Sequence, residues 1–231
     1  MRVALIYSRQ PKNRYATGST NENAVMYQFV KKLAAALSSR GVDVVWNPDN
    51  TDQNKDRVSD YADNVKWVNS IKGIDLLISN HSNAAGNACI LAGPSSTSQN
   101  WRKKFQSVLN PAGLLPYGDK YESNPRIVSE LKHTYPPAIL IEHGQHDKKD
   151  YAQWLIDSIV KTSRYPDKLA DVVAPILGGH KLAQTVATPT IPVTYVRHPS
   201  GAIYALKGQS AHWVSPGEWA KLDPKPTFKQ I

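Results

Sequence analysis

Short apolar runs alternate with longer amphipathic stretches along the first two thirds of the chain. VALIY (3–7) is a first apolar run and ends in a loop rich in Pro, Asn and Gly. From about Asn21 the period becomes helical, with Val25, Phe29, Leu33 and Leu37 spaced four apart and flanked by Met26 and Val30. Gly41 stops that helix, and VDVVW (42–46) reads as a second strand. A polar stretch follows, then a helix over about 56–70, the strand IDLLIS (74–79), a short strand in ACILAG, and a helix through SQNWRKKFQSVLN. After a Pro/Gly/Tyr-rich loop (110–125) and SELKHT come AILIE (138–142), as apolar as a central parallel strand, and a helix from Asp150 to about Thr162. Strand–helix alternation of this kind predicts an α/β fold: a mostly parallel, doubly wound sheet flanked by helices.

The texture changes beyond Arg164. PDKLADVVAPILGGHKLAQT reads as a short helix with a Gly-Gly break, and TVATPTIP as a linker. From about Val193, VTYVRH, AIYALK and AHWVS are separated by turns and alternate like a small β meander. The expected organisation is a main domain over 1–165, a helix and linker over 166–192, and a small β-rich module over 193–231. A module of that size without disulfide or metal is marginal alone, so docking or self-association through it is expected. Tyr195, Tyr204, Trp213 and Trp219 are available there to stack on a ligand or to form its core.

Composition narrows the function classes. No window approaches the ~18 apolar residues of a membrane span, and the N-terminus lacks the apolar stretch of a secretory signal, so synthesis in a cytoplasm is expected. A single cysteine, Cys89, excludes an intrachain disulfide and a cysteine-based metal site. The net charge of +9 implies attraction to a polyanion. The basic residues are scattered, and no finger, RNP or helix-turn-helix pattern organises them, which argues against nucleic acid.

Candidate chemistry gathers at predicted strand ends, where open α/β sheets place their ligands. Glu22 opens the first helix, His81 follows IDLLIS, and Glu142, His143, His146 and Asp147 lie at the end of AILIE. Taken singly each has an ordinary explanation: Glu22 complements a helix dipole, and the histidines are hydrogen-bonded loop groups. Taken together, imidazoles and a carboxylate suit a zinc ion that activates water, with a further carboxylate as general base.

TNEN at the start of a long helix, RGVDVVW, VNSIKGIDLLISNHSNAAG and YPPAILIEHGQHDKKDYAQWLIDSI together make residues 1–165 resemble the zinc-dependent N-acetylmuramoyl-L-alanine amidases, the amidase 3 family, especially its phage endolysin members. The resemblance implies zinc bound by Glu22 and His81 among others, Glu142 as catalytic acid/base, and cleavage between the lactyl group of muramic acid and L-alanine in bacterial peptidoglycan. The missing signal stretch fits an endolysin held in the host cytoplasm until it reaches the wall, and the positive charge fits a wall rich in anionic polymers.

One departure stands out. The family places a first histidine ligand in a loop after strand one, and here the matching segment is YSRQPKN, with Gln10 at that position. His146 is the preferred replacement ligand; His143 directly follows Glu142 and would point to the opposite face of a continuing strand. Gln10 and Asn83 are assigned to substrate contacts, Gln10 also being a candidate weak oxygen ligand. A zinc peptidase cutting within the stem peptide, or a peptidoglycan-binding protein without catalysis, are the alternative readings.

Overall fold

The computed structural model describes residues 1–48 and 61–181, together with the backbones of four C-terminal strands. The elements of the first part, in order, are β1 (Arg2–Tyr7), α1 (Glu22–Ser39), β2 (Asp43–Trp46), α2 (Tyr61–Ser70), β3 (Leu76–Asn83), β4 (Cys89–Ala92), α3 (Ser96–Ala112), β5 (Glu122–Ser123), α4 (Ser129–Lys132), β6 (Ala138–Gln145), α5 (Lys149–Leu155) and α6 (Arg164–Val173). A π-helical turn, Ile156–Lys161, extends α5. Residues 49–60, where the start of the second helix was expected, lie outside the described residues.

The strands form one six-stranded sheet in the order β2-β1-β3-β6-β4-β5. Neighbours are parallel except β4 against β6, so the sheet is mostly parallel, as the strand–helix alternation predicted. Successive residues of a strand point to opposite faces, and each face has its own core. Val3, Leu5 and Tyr7 of β1 pack with Val25, Phe29 and Leu33 of α1, Phe105 of α3, Leu155 of α5 and Leu169 of α6. Ala4 and Ile6 pack instead with Leu77, Leu140, Val68 of α2 and Leu131 of α4. The chain goes from β1 to β2 on one side and returns to β3 on the other, with α1 and α2 on opposite faces, so the strand order reverses at β1 and a crevice opens at the strands' carboxyl ends.

The first compact unit runs Met1–Leu182, beyond the boundary at 165 expected from the sequence. α6 is the reason: its Tyr165, Leu169 and Val173 complete the core on the α1 face. Arg40 at the end of α1 reaches Asp171 at 2.8 Å, and the His180 amide donates to the Arg40 carbonyl at 2.9 Å. The segment read as a connector is thus tied to the sheet by both apolar and polar contacts.

Ala183–Ile231 is the second unit. Its strands β7 (Thr194–Arg197), β8 (Ile203–Lys207) and β9 (Ser210–Val214) form the expected antiparallel meander, and β10 (Phe228–Lys229) adds in parallel to β7. Its side chains, including the four aromatics singled out above, lie outside the described residues.

Candidate active site

The site is assembled where β3 and β6 end. These strands are parallel neighbours, and His81 stands directly opposite Glu142 in their register. Both point to the α2/α4 face of the sheet, the face of Leu77 and Leu140, because the period of a strand is two. Glu22 approaches from the start of α1. Asn21 caps that helix, its side chain accepting from the Ala24 amide at 2.9 Å, which leaves the first-turn carboxylate free to face the crevice. Asn13, in the loop after β1, donates through Nδ2 to Glu22 Oε2 at 2.7 Å, while the Asn13 carbonyl accepts from the Glu22 amide at 2.9 Å. The Ser82 amide donates to Glu22 Oε1 at 3.1 Å. The carboxylate is therefore held from two sides before any ligand arrives.

Candidate ligand atoms of Glu22, His81 and Glu142 all lie within 4.8 Å of one another, and all three residues are buried. They line a cavity of about 210 Å³ together with Gln10, Asn13, Asn83 and Arg126. His81 lies between two carboxylates: Nδ1 is 3.2 Å from Glu22 Oε1, and Nε2 is 3.1 Å from Glu130 Oε2. Two ring nitrogens that both face carboxylates favour the imidazolium. Burial pulls its pKa down, but Glu130 and Glu22 outweigh burial and hold it well above the ordinary histidine value. Glu22 shows the mirror image: burial pushes its carboxyl up, but His81, Asn13 and Ser8 bring it below the usual range.

Glu142 behaves differently. Burial, opposed by His81 and reinforced by the negative charge of Glu22, pushes its pKa up to about 7. Its Oε2 is buried without a hydrogen-bond partner. An orphaned carboxylate oxygen in a polar cavity is costly unless something else meets it, so the site is built to receive a cation, a water or a substrate proton there.

Of the residues singled out in the sequence, Glu22, His81 and Glu142 converge, and Gln10 and Asn83 line the same cavity. His143 lies on the opposite face, as expected, its ring 4.3 Å from that of Phe29. The structure does not bring His146 into the cluster. Between the pairs His81–Glu142 and Asn83–Gln145 the register shifts, so β6 carries one residue more than β3. Such a bulge reverses the alternation of faces, and His146 turns away from Glu142. Its ring stacks on Tyr15 at 5.2 Å, and its Nδ1 meets Ser82 Oγ at 2.9 Å.

Three contributors were not legible as such in the sequence. Glu130, expected only as part of a helical stretch, is fully buried and accepts from Ser79 Oγ at 2.9 Å and Asn64 Nδ2 at 3.2 Å besides facing His81. Asn13 and Arg126 come from loops whose sequences carry no periodic signal. Nothing local in SELKHT distinguishes Glu130 from a solvated glutamate.

A family model described as N-acetylmuramoyl-L-alanine amidase matches residues 4–173. No curated protein sequence matches the chain. Among solved structures, an N-acetylmuramoyl-L-alanine amidase from Clostridium difficile 630 is similar at 22% identity and a TM-score of 0.57, covering 77% of this chain and 95% of its own. The catalytic domain of CwlV, an N-acetylmuramoyl-L-alanine amidase from Bacillus (Paenibacillus) polymyxa var. colistinus, is similar at 18% identity and a TM-score of 0.57, over 75% of this chain and 94% of that one. The catalytic domain of an endolysin targeting Clostridia difficile is similar at 18% identity and a TM-score of 0.51, over 78% and 98% respectively.

Proposed function

The chain belongs to the N-acetylmuramoyl-L-alanine amidase family and is a peptidoglycan amidase; on that premise we propose that Glu22 and His81 hold a zinc ion and that Glu142 is the catalytic acid/base. The observation that carries this reading is the buried convergence of Glu22, His81 and Glu142 with one carboxylate oxygen left unpartnered. The donors fit a divalent cation: the Glu22 carboxylate and the imidazole of His81, whose far nitrogen is fixed by Glu130, with the Glu142 carboxylate beside them to act on water. When bound, zinc supplies a positive charge that polarises the amide carbonyl and makes water more acidic.

The remaining work falls to the side chains. Glu142 takes a proton from the attacking water as the new C–O bond forms. It returns that proton to the amide nitrogen as the C–N bond to L-alanine breaks, freeing an amine. A carboxyl with a pKa near the working pH suits both halves of that exchange. Gln10 and Asn83, on the cavity wall, contact the substrate. His146 acts at one remove, through the hydroxyl of Ser82, whose amide holds Glu22.

The biological setting proposed is that of a phage endolysin, synthesised in a host cytoplasm and acting on the wall after release. What supports it is the fold shared with an endolysin catalytic domain and a net charge of +9 suited to a wall rich in anionic polymers. Among the described residues, no helix is long and apolar enough to cross a membrane. The C-terminal module is the proposed wall-attachment or self-association element.

The test combines metal analysis with product analysis on wild type, His81→Ala and Glu142→Gln. The expected result is bound zinc and release of L-alanine amino groups from intact glycan strands by the wild type. His81→Ala loses both, while Glu142→Gln keeps zinc and loses activity by about 10²–10⁴-fold. Loss of zinc from Glu142→Gln would make that residue a ligand instead, and amines released within the stem peptide would make the enzyme a peptidase.

A further inference from the structure

A second cavity, of about 360 Å³, lies at the end of β6 beside the candidate active site and is lined by Asn87, Tyr117, Asp119, Gln145, Tyr151 and the first residues of α5. Gln145 is only 4% exposed, and its Oε1 has no hydrogen-bond partner although its Nε2 donates to Asn87 Oδ1 at 3.3 Å. A buried amide oxygen on the wall of a cavity calls for a donor from a ligand. The hydroxyl of Tyr151 is also buried without a hydrogen bond of ordinary geometry. Burial, then the charge of the Asp119 carboxylate that the hydroxyl faces, raises that phenol's pKa, so it stays neutral.

Tyr117 supplies the other half of the site. The residue is 71% exposed, and its ring stands 6.0 Å from that of Tyr151. Its backbone is in the left-handed region, at φ 61°, a conformation that a bulky residue adopts only when its surroundings impose it. Below it, Gly144 has no side chain where a Cβ would overlap the Tyr151 ring, so that ring lies directly on the β6 backbone. The result is an open aromatic face above a floor of neutral amide and hydroxyl groups. Lys148 and Lys149 are balanced by Asp119 and Asp150, so the cavity has no net charge to select an ion.

We propose that this cavity is a saccharide subsite that holds one N-acetylated pyranose of the glycan strand. The apolar face of the sugar stacks on Tyr117. Its hydroxyl or acetamido N–H donates to Gln145 Oε1, and a further sugar hydroxyl donates to the Tyr151 hydroxyl oxygen. The inference rests on the amidase reading for its substrate. Glu142 and Gln145 are three residues apart on β6, at most about 10 Å along a strand that bulges between them, so a glycan whose lactyl amide sits at Glu142 brings a sugar ring to Gln145.

The test is titration of the full-length protein with an N-acetylglucosamine trimer, which contains no scissile amide, and separately with the free stem peptide, followed by NMR. Wild type and Tyr117→Phe are expected to bind the trimer with shifts at Gln145 and Tyr151. Tyr117→Ala and Gln145→Ala are expected to weaken that binding about tenfold. Absence of trimer binding, trimer binding unchanged in both alanine variants, or stem-peptide binding that depends on Tyr117 would overturn the subsite. Amine release from peptidoglycan by the wild type is scored in parallel: Tyr117-dependent trimer binding without amine release retains the subsite and overturns the amidase mechanism, and the reverse result does the opposite.

Discussion

His81 Nε2 and Glu130 Oε2 lie 3.1 Å apart, on elements 49 residues apart in sequence, and both side chains are buried. The contact keeps a proton on Nε2, so Nδ1, which faces Glu22, is the nitrogen left to bind a metal once the imidazolium gives up a proton. Glu130→Ala removes that anchor while leaving the candidate ligands in place. Zinc affinity is expected to fall about 10–100-fold, with partial recovery in Glu130→Gln. Equilibrium dialysis of folded protein, checked by circular dichroism, measures it; unchanged affinity in both variants would sink the orienting role.

Zinc binding should release a proton from His81. Below its raised pKa the imidazole is held protonated between Glu22 and Glu130, and a ligand nitrogen must be neutral. The apparent affinity is therefore expected to rise with pH, by up to about tenfold per unit, through the neutral range and to level off above the raised pKa. Calorimetry in buffers of different ionisation enthalpy reads the proton directly. The same raised pKa stabilises chelator-treated protein at and below the unfolded-state pKa, and that contribution is lost as pH rises through the folded value.

His146→Ala is expected to keep zinc. Its Nδ1 is engaged by Ser82, and its stacking on Tyr15 contributes to stability, so the variant should lose ~0.5–1.5 kcal/mol and little metal. Metal content after gel filtration decides between this and a ligand role, in which zinc would be lost with the ring.

His143 makes the fold acid-sensitive. It is fully buried, with Nε2 3.0 Å from Asn80 Oδ1 and Nδ1 2.6 Å from Tyr165 Oη, and the Tyr165 hydroxyl in turn meets that of Tyr121. Asn80 Nδ2 is already committed to backbone carbonyls, so its Oδ1 accepts from His143 Nε2–H, and in the neutral ring Nδ1 accepts from the Tyr165 hydroxyl. Burial, reinforced by the charge on His81, brings the His143 pKa down to about 3. The unfolded chain binds the extra proton first, so this contribution is complete above about pH 6.5 and is lost as pH falls toward 3, on the order of a few kcal/mol in all. Denaturant midpoints at pH 7.5 and 4.5 should diverge less for His143→Gln than for wild type; equal divergence would remove His143 as the cause.

Periodicity by itself determined the elements, because apolar spacing of two or four is a local property that survives without tertiary context. It placed β1, α1, β3 and β6, and with them Glu22, His81 and Glu142 at one rim of a parallel sheet. Tertiary structure alone decided the rest. A single extra residue in β6 reversed the alternation of faces and carried His146 away from the position that sequence spacing had suggested. Glu130 reached His81 only because α4 packs on the face to which β3 directs that histidine. The domain ended beyond residue 165 because the α1 face of the sheet needed the apolar side of α6 to cover it. Bulges, cross-strand register and the covering of an exposed face are relations between distant segments, and no local pattern encodes them.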